Sequence, residues 1–252
     1  MNVWRCCVVT SEMPLRKILE GGYPMTNKFF LRLKFPWLPL LLWLAGTGCV
    51  STRANPDFSR WEKTIAVFEA GDKTNPPPKD GVLFVGASNI SRWTSLAADF
   101  PGQKVFNRGF GGSFMRDVLH YADRVVLPYA PRVIVLQAGG NDLNAGRTPE
   151  EVAADFEAFA EKIRGRLPGA RIIFISIPPS PQRWKQIAQV RAANQLITGY
   201  INGKPGLAFI DVSSNLVGSD GRPRLEFYEA DGDHVNAKEY GVWKKLIDPQ
   251  LK

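Results

Sequence analysis

The sequence contains very few histidine and cysteine residues. It has two histidines and three cysteines among 252 residues. The cysteines are Cys6, Cys7 and Cys49, so no cysteine follows Val50. This distribution excludes a disulfide framework or an all-cysteine metal site in the main body of the chain.

Long runs of positive charge are also missing. The formal net charge is +8, and residues 1–48 account for half of that excess. The remaining lysine and arginine residues are scattered among acidic ones, without a basic run or zinc-finger spacing. We therefore predict a solvated charged surface and no nucleic-acid partner. Hydrophobic residues at 44% and charged residues at 22% give the balance of an ordinary globular domain.

An apolar segment near the N-terminus has the pattern of an export signal. Positive residues at 28, 32 and 34 precede an apolar core, Phe35 to Ala45, and small residues then lead to Cys49. The core is too short to favour a membrane-spanning helix. We predict a lipoprotein-type signal peptide at 25–48 and lipidation of Cys49, although Gly46 stands where that pattern usually has leucine.

The 24 residues before this signal have two explanations: a mis-called start, with translation beginning at Met25, or an extended n-region. Ordinary cleavage or a retained anchor are the alternatives to lipidation. In each case the protein is expected to be exported. With lipidation it would lie on the periplasmic side of the cell envelope, attached to the membrane.

Alternating strand and helix patterns fill the rest of the chain. Short apolar runs are followed by segments with helical spacing, which predicts crossover units and a parallel sheet. The helix predicted at 149–167 has Thr148 as its N-cap and a single apolar face. The last helix is expected to begin near Ala237. The five predicted strands lie within VLFVGAS, KVFNRGFGG, RVIVLQAGGND, RIIFISIPP and LAFIDV.

The sequence therefore predicts an α/β fold with about five parallel strands. Residues 49–80 are predicted to be a linker with one short helix around 58–70, and residues 81–252 the main domain. In open α/β sheets, ligands bind at the carboxyl ends of the strands. The residues that directly follow each apolar run are therefore the candidates for a functional site.

The strand ends supply the groups that acyl transfer needs. Ser88 follows the first run, a glycine-rich turn follows the second, and Asn141 follows the third. His234 lies in DGDHVN, three residues after Asp231. A serine hydroxyl needs a base to remove its proton, and a carboxylate can orient that base. The Asn141 amide can donate to a developing oxyanion.

Each of these residues also has a simpler interpretation. Ser88 alone could be a helix cap, and Asn141 or Asp142 could cap the next helix. Asp233 competes with Asp231 as the carboxylate beside His234. Three further residues near strand ends could either line a substrate cleft or serve in ordinary packing, namely Trp93, Arg183 and Trp184.

The blocks GAS, NRGFGGS, GGND and DxxH, in this order, resemble the SGNH (GDSL-type) hydrolase family, and most nearly its bacterial branch related to platelet-activating-factor acetylhydrolases. The resemblance covers the chain from about Gly81 to the C-terminus. It implies a three-layer flavodoxin-like fold without a cofactor. It also implies Ser88 as nucleophile, Asp231 and His234 as its partners, and an oxyanion hole formed by Ser88, Gly112 and Asn141. Two positions depart from the family pattern: Ala87 replaces the usual aspartate, and Gly140 replaces the commoner threonine.

The predicted function is that of a serine esterase acting on short acyl esters of a carbohydrate or a lipid, with acetyl on a carbohydrate preferred. The alternative is a non-catalytic lipoprotein that binds a glycan or a lipid on the same fold. The oligomeric state and the natural substrate are left open by the sequence.

Overall fold

The computed structural model describes residues 56–252. The predicted signal peptide at 25–48 and Cys49 lie outside the described residues and stay predictions. No helix in the described part of the chain is long and apolar enough to cross a membrane.

Five short strands form one parallel sheet in the order β2-β1-β3-β4-β5. Strands β1 and β3 are buried at every residue, as expected for strands covered by helices on either side. The α/β class and the strand number predicted from the sequence are confirmed. The strands are β1 (Val82–Gly86), β2 (Val105–Gly109), β3 (Val133–Gln137), β4 (Arg171–Ile175) and β5 (Leu207–Ile210).

Eight α-helices pack around this sheet in the described residues. The predicted Thr148 cap is confirmed, because its hydroxyl accepts a hydrogen bond from the backbone N–H of Glu151. The predicted start of the last helix at Ala237 is also confirmed. The helices are α1 (Glu62–Thr74), α2 (Ser88–Ser91), α3 (Leu96–Asp99), α4 (Met115–Val125), α5 (Gly140–Asn144), α6 (Pro149–Arg166), α7 (Ile187–Ile201) and α8 (Ala237–Ile247).

The sheet separates two hydrophobic clusters. Alternate strand residues such as Leu83 and Ile134 face α1, α4, α6 and α7. Their neighbours, such as Phe84 and Val135, face α2, α3 and α8. The molecule thus has three layers, and the period of two along each strand assigns its side chains to one cluster or the other.

The strand order changes direction between β1 and β3. The chain passes from β1 to β2 on one side and then crosses to β3 on the other. The loops after β1 and β3 therefore diverge and leave a crevice at the carboxyl ends of these strands. Ser88 and Asn141 lie at this crevice, as the sequence predicts.

The segment assigned to a linker in the sequence analysis carries a helix that packs on the domain. Ile65 of α1 is fully buried in the cluster that faces α4. Arg124 of α4 donates hydrogen bonds to Glu69 and Glu62, with each nitrogen–oxygen distance between 2.6 and 2.8 Å. Residues 58–74 therefore belong to the compact body of the described chain.

Replacing Ile65 by alanine should destabilise the protein by about 2–5 kcal/mol, because it leaves a cavity in the core. Val67 lies on the same helix, and its side chain is 62% exposed. Val67→Ala should change the free energy of unfolding by less than about 0.5 kcal/mol. Urea denaturation of both variants beside the wild type measures the difference. Equal midpoints for the two variants would show that α1 does not pack as described.

Candidate active site

The His234 ring is held by Asp231. Nδ1 of His234 lies 2.6 Å from Oδ2 of Asp231. A carboxylate only accepts hydrogen bonds, so Nδ1 carries the proton in this pair and Nε2 of the neutral ring is left with a lone pair. The other carboxylate oxygen, Oδ1, accepts from the backbone N–H groups of Asp233 and His234 at 2.9 and 3.0 Å.

These contacts keep Asp231 ionised. The backbone N–H of His234, then that of Asp233, and then the His234 ring lower the pKa of Asp231 well below its usual range. Arg92 adds a cation 3.6 Å from Oδ2. A permanently charged carboxylate fixes the ring tautomer and stabilises the imidazolium form of His234.

The competing carboxylate, Asp233, has a different partner. Its Oδ2 lies 2.5 Å from Nη2 of Arg183, and its Oδ1 accepts a hydrogen bond of 2.8 Å from the Ser180 hydroxyl. The structure thus brings Asp231, and not Asp233, against the His234 ring.

Ser88 begins α2 immediately after β1. Among the described residues its Oγ makes no hydrogen bond to the His234 ring. The two segments are nevertheless tied together through the next residue. Oδ1 of the buried Asn89 accepts from the backbone N–H of Val235 at 3.3 Å, and the Asn89 carbonyl accepts from the Tyr240 hydroxyl at 2.8 Å.

The glycine-rich loop after β2 lies beside Ser88. A Cβ on Gly111 would be 3.9 Å from Cβ of Ser88. Gly112 has a φ of +80°, and a Cβ there would lie 3.3 Å from the Trp61 ring. Glycine therefore allows both the left-handed turn and the close approach of this loop to Trp61.

Trp61 belongs to a short 3-10 helix, Ser59–Trp61, that precedes α1. Its Nε1 donates a hydrogen bond of 2.9 Å to the buried carboxylate of Asp117, which also accepts from the backbone N–H of Phe114 at 2.8 Å. The N-terminal segment thus braces the glycine-rich loop from outside. No motif in the sequence indicated this role for Trp61 or Asp117.

Asn141 is fixed from two sides. Its Nδ2 donates to the Ser113 carbonyl at 3.1 Å, and its Oδ1 accepts from Nη1 of Arg183 at 3.1 Å. These bonds set the direction of the amide and leave a second Nδ2 hydrogen for another acceptor. The next residue, Asp142, is fully buried and accepts from the backbone N–H of Met115 and from Arg147. Burial raises the pKa of Asp142 to about 6.

A cavity lies beside Ser88 and Asn141, and His234, Asp231 and Gly112 are not among the residues that line it. It is lined by Ser88, Asn141 and Asp233, and by both Arg183 and Trp184, which the sequence placed near a cleft. The cavity has a volume of about 40 Å³. Its walls also include Gln137, the last residue of β3, which the sequence analysis did not single out. The sequence does contain a feature that could have identified Gln137, because this polar residue directly follows the apolar run VIVL.

Trp93 is not among the residues that line this cavity, so of the two roles that the sequence left open, cleft lining or packing, the structure shows packing. The side chain is 2% exposed and packs against Phe84, Tyr240 and Trp243 in the core. Its Nε1 donates to Asp99 at 2.7 Å, which satisfies the indole donor locally. Trp93 follows α2 on the side that faces α8, away from the crevice.

The doubly wound α/β domain carries a serine and a carboxamide at its switch point and a histidine–aspartate pair on a separate loop, which are groups that ester hydrolysis can use. Residues 80–242 match the GDSL-like Lipase/Acylhydrolase family. The chain belongs to this family and is a hydrolase that acts on ester bonds. The family predicted from the four sequence blocks is thereby confirmed.

Individual relatives agree with this assignment. The chain is 32% identical over 170 residues to platelet-activating factor acetylhydrolase IB subunit alpha2 of Rattus norvegicus, covering 64% of this chain and 71% of that protein. A Streptococcus pneumoniae protein has a TM-score of 0.68 at 20% identity, covering 77% of this chain and 94% of its own. A GDSL-like lipase from Bacteroides thetaiotaomicron has a TM-score of 0.60 at 18% identity, covering 77% and 97%. These two structures show the same fold.

Replacing Asn89 by alanine removes the acceptor for the buried Val235 N–H. We expect a loss of roughly 1–3 kcal/mol in the free energy of unfolding, because a buried donor is left unpaired. Asn202 is exposed, and no hydrogen bond of its side chain is seen, so Asn202→Ala should stay within about 0.5 kcal/mol of the wild type. Denaturant titration of the two variants checks this. Equal stability of Asn89→Ala and Asn202→Ala would argue against a stabilising hydrogen bond between Asn89 and Val235.

Proposed function

We propose that the protein is a serine esterase in which Ser88 is the nucleophile, His234 the general base and Asp231 the residue that orients the base. The observation that carries this proposal is the short contact between Nδ1 of His234 and the ionised Asp231 carboxylate, on a loop that is hydrogen bonded to the residue after Ser88. That contact leaves Nε2 as the basic atom of the ring.

The first half-reaction forms an acyl-enzyme. His234 Nε2 takes the proton from Ser88 Oγ as this oxygen attacks the ester carbonyl. For this transfer Ser88 Oγ has to come within hydrogen-bond distance of the ring, and hydrogen bonds of this kind often tighten only when substrate is bound. The tetrahedral intermediate then collapses, and the imidazolium gives its proton to the departing alcohol.

The second half-reaction releases the acid. A water molecule attacks the acyl-enzyme while His234 takes one of its protons, and the same proton returns to Ser88 Oγ as the acyl–oxygen bond breaks. In both steps the negative oxygen would be held by the backbone N–H groups of Ser88 and Gly112 and by Nδ2 of Asn141. The orientation of Asn141 by Ser113 and Arg183 supports this role.

The size of the cavity supports a short acyl group. A cavity of about 40 Å³ has room for a group of a few atoms. The alcohol part is then the carbohydrate or lipid portion of the ester. We infer an acetyl-sized acyl group and leave the alcohol to be determined by assay.

Ser88→Ala should lower kcat for p-nitrophenyl acetate by at least about a thousandfold, because residual activity comes only from the oxyanion hole and binding. Circular dichroism and the unfolding midpoint of the variant should match the wild type. The release of p-nitrophenol, with butanoate and octanoate esters alongside, measures both the loss and the chain-length preference. An inactive wild type would favour the non-catalytic binding protein considered from the sequence. A fully active Ser88→Ala would exclude this nucleophile.

The two carboxylates of the loop provide a matched comparison. Asp231→Asn should reduce kcat by about a thousandfold or more, because the amide no longer holds the required tautomer of His234. Asp233→Asn keeps the ring contact and weakens the pair with Arg183. It should therefore lower kcat much less than Asp231→Asn does. Steady-state kinetics of both variants measure this difference. A larger kcat loss in Asp233→Asn would identify Asp233, and not Asp231, as the carboxylate that orients His234.

A further inference from the structure

A carboxamide without a partner lies in the wall of the active-site cavity. Gln137 is 3% exposed, and its Oε1 has no hydrogen-bond partner among residues 56–252. Two other buried side-chain atoms of the described chain share this property, Oγ of Ser113 and Nε of Arg116. Of these three residues, Gln137 is the one that lines the cavity.

An unpaired buried amide is unfavourable, so the position calls for an explanation. Gln137 ends β3, whose other residues Val133 to Leu136 are all buried and apolar. An apolar residue there would continue the run without leaving an amide unpaired. The polar side chain is therefore better explained by a ligand that enters the cavity.

Several other polar groups of the cavity wall are already engaged in hydrogen bonds or ion pairs. Arg183 is paired with Asp233 and donates to Asn141. The Ser180 hydroxyl donates to Asp233 and to the Gly232 carbonyl. A small ligand can therefore pair with Gln137 without breaking these contacts.

The position of His234 indicates which part of the ester enters. The alcohol oxygen has to receive a proton from His234, so it leaves on the side of that ring. His234 is not among the residues that line the cavity, whereas Ser88 and Asn141 are. The acyl part is the portion that points into the cavity once its carbonyl carbon is bound to Ser88.

We propose that Gln137 is a specificity-determining residue that selects a short acyl group carrying a hydroxyl. The proposal rests on the esterase function proposed above. A hydroxyl both donates and accepts, so it can pair with the carboxamide in either orientation of the amide. An alkyl group of the same size would leave the amide unpaired, and sites built to bind a hydroxyl discriminate strongly against analogues that lack it.

The test compares two esters of equal size in the full-length protein. Phenyl glycolate and phenyl propanoate differ by a hydroxyl in place of a methyl group. The measured quantity is the ratio of their kcat/KM values, each divided by the rate constant of hydroxide-catalysed hydrolysis to remove intrinsic reactivity. Gln137→Met keeps the length of the side chain and removes the amide. Gln189→Met, on an exposed position of α7 outside the cavity wall, is the matched control.

The corrected ratio should favour glycolate by about tenfold or more in the wild type and in Gln189→Met, and should fall by about ten- to a hundred-fold in Gln137→Met. Should Gln137→Met not fold, the wild-type ratio still decides, because a corrected ratio near one would overturn the proposal. A corrected ratio that is equal in the wild type and in Gln137→Met would also overturn the proposal. In both cases hydrolysis of phenyl acetate by the wild type would leave the esterase proposal intact.

Two further results also overturn the proposal. A pair that differs in its alcohol, 2-hydroxyethyl acetate against propyl acetate, tests the direction of binding. If Gln137→Met changes this ratio and not the acyl ratio, the cavity holds the alcohol. If no ester is hydrolysed, phenyl acetate included, the esterase function fails and the specificity proposal fails with it.

Discussion

The close approach of β1 and β3 at their carboxyl ends is the constraint on which the site depends. Gly86, the last residue of β1, has a φ of +140°, and a Cβ there would lie 1.9 Å from the Gln137 carbonyl oxygen. That oxygen instead accepts the backbone N–H of Ala87 at 2.9 Å, and the Gly86 carbonyl accepts from Phe110 on the other side. The ends of three adjacent strands are thus joined by backbone bonds directly below Ser88. Any side chain at Gly86 would separate β1 from β3.

The histidine loop is positioned by a second set of contacts. The sheet does not determine the position of residues 231–236, because a long irregular segment separates them from the end of β5. The loop is held instead by Asn89 on one side and by the Gly232 carbonyl, which accepts from the backbone N–H of Gln182, on the other. Packing of Tyr240 against Trp93 anchors the helix that follows. The core tryptophan therefore supports the site from a distance without lining it.

The sequence predicts the sheet and the order of its elements well because strands and helices here are local patterns. Apolar runs such as VIVL, and the capped helix after Thr148, are specified by residues next to each other. Two contacts of the site could also be predicted in principle. The contact between Asp231 and His234 is local in the sequence. The contact between Asn141 and Ser113 joins two loops that follow neighbouring strands. Arg183 with Asp233, and Trp61 with Asp117, join residues about 50 positions apart and carry no shared motif. Contacts of this kind depend on how the loops fold over the sheet. The spacing of apolar residues along the sequence carries no information about that folding. The sequence left the role of Trp93 open, because a position near a strand end does not determine whether the side chain faces a cleft or packs in the core, where it contacts Tyr240 and Trp243.

The residues that hold the site rigid also limit what it can bind. Arg183 neutralises Asp233 and orients Asn141, so the cation nearest the cavity is committed to the geometry of the proposed oxyanion hole. A free carboxylate on a ligand would have to compete for this arginine and would thereby release Asn141 from its position. An anionic acyl group would thus weaken the stabilisation that its own hydrolysis requires. A neutral ligand group that pairs with the Gln137 amide leaves that arrangement undisturbed. Under the proposed mechanism, the engaged arginine excludes charge from the cavity, and the unpaired amide favours a polar group that carries none.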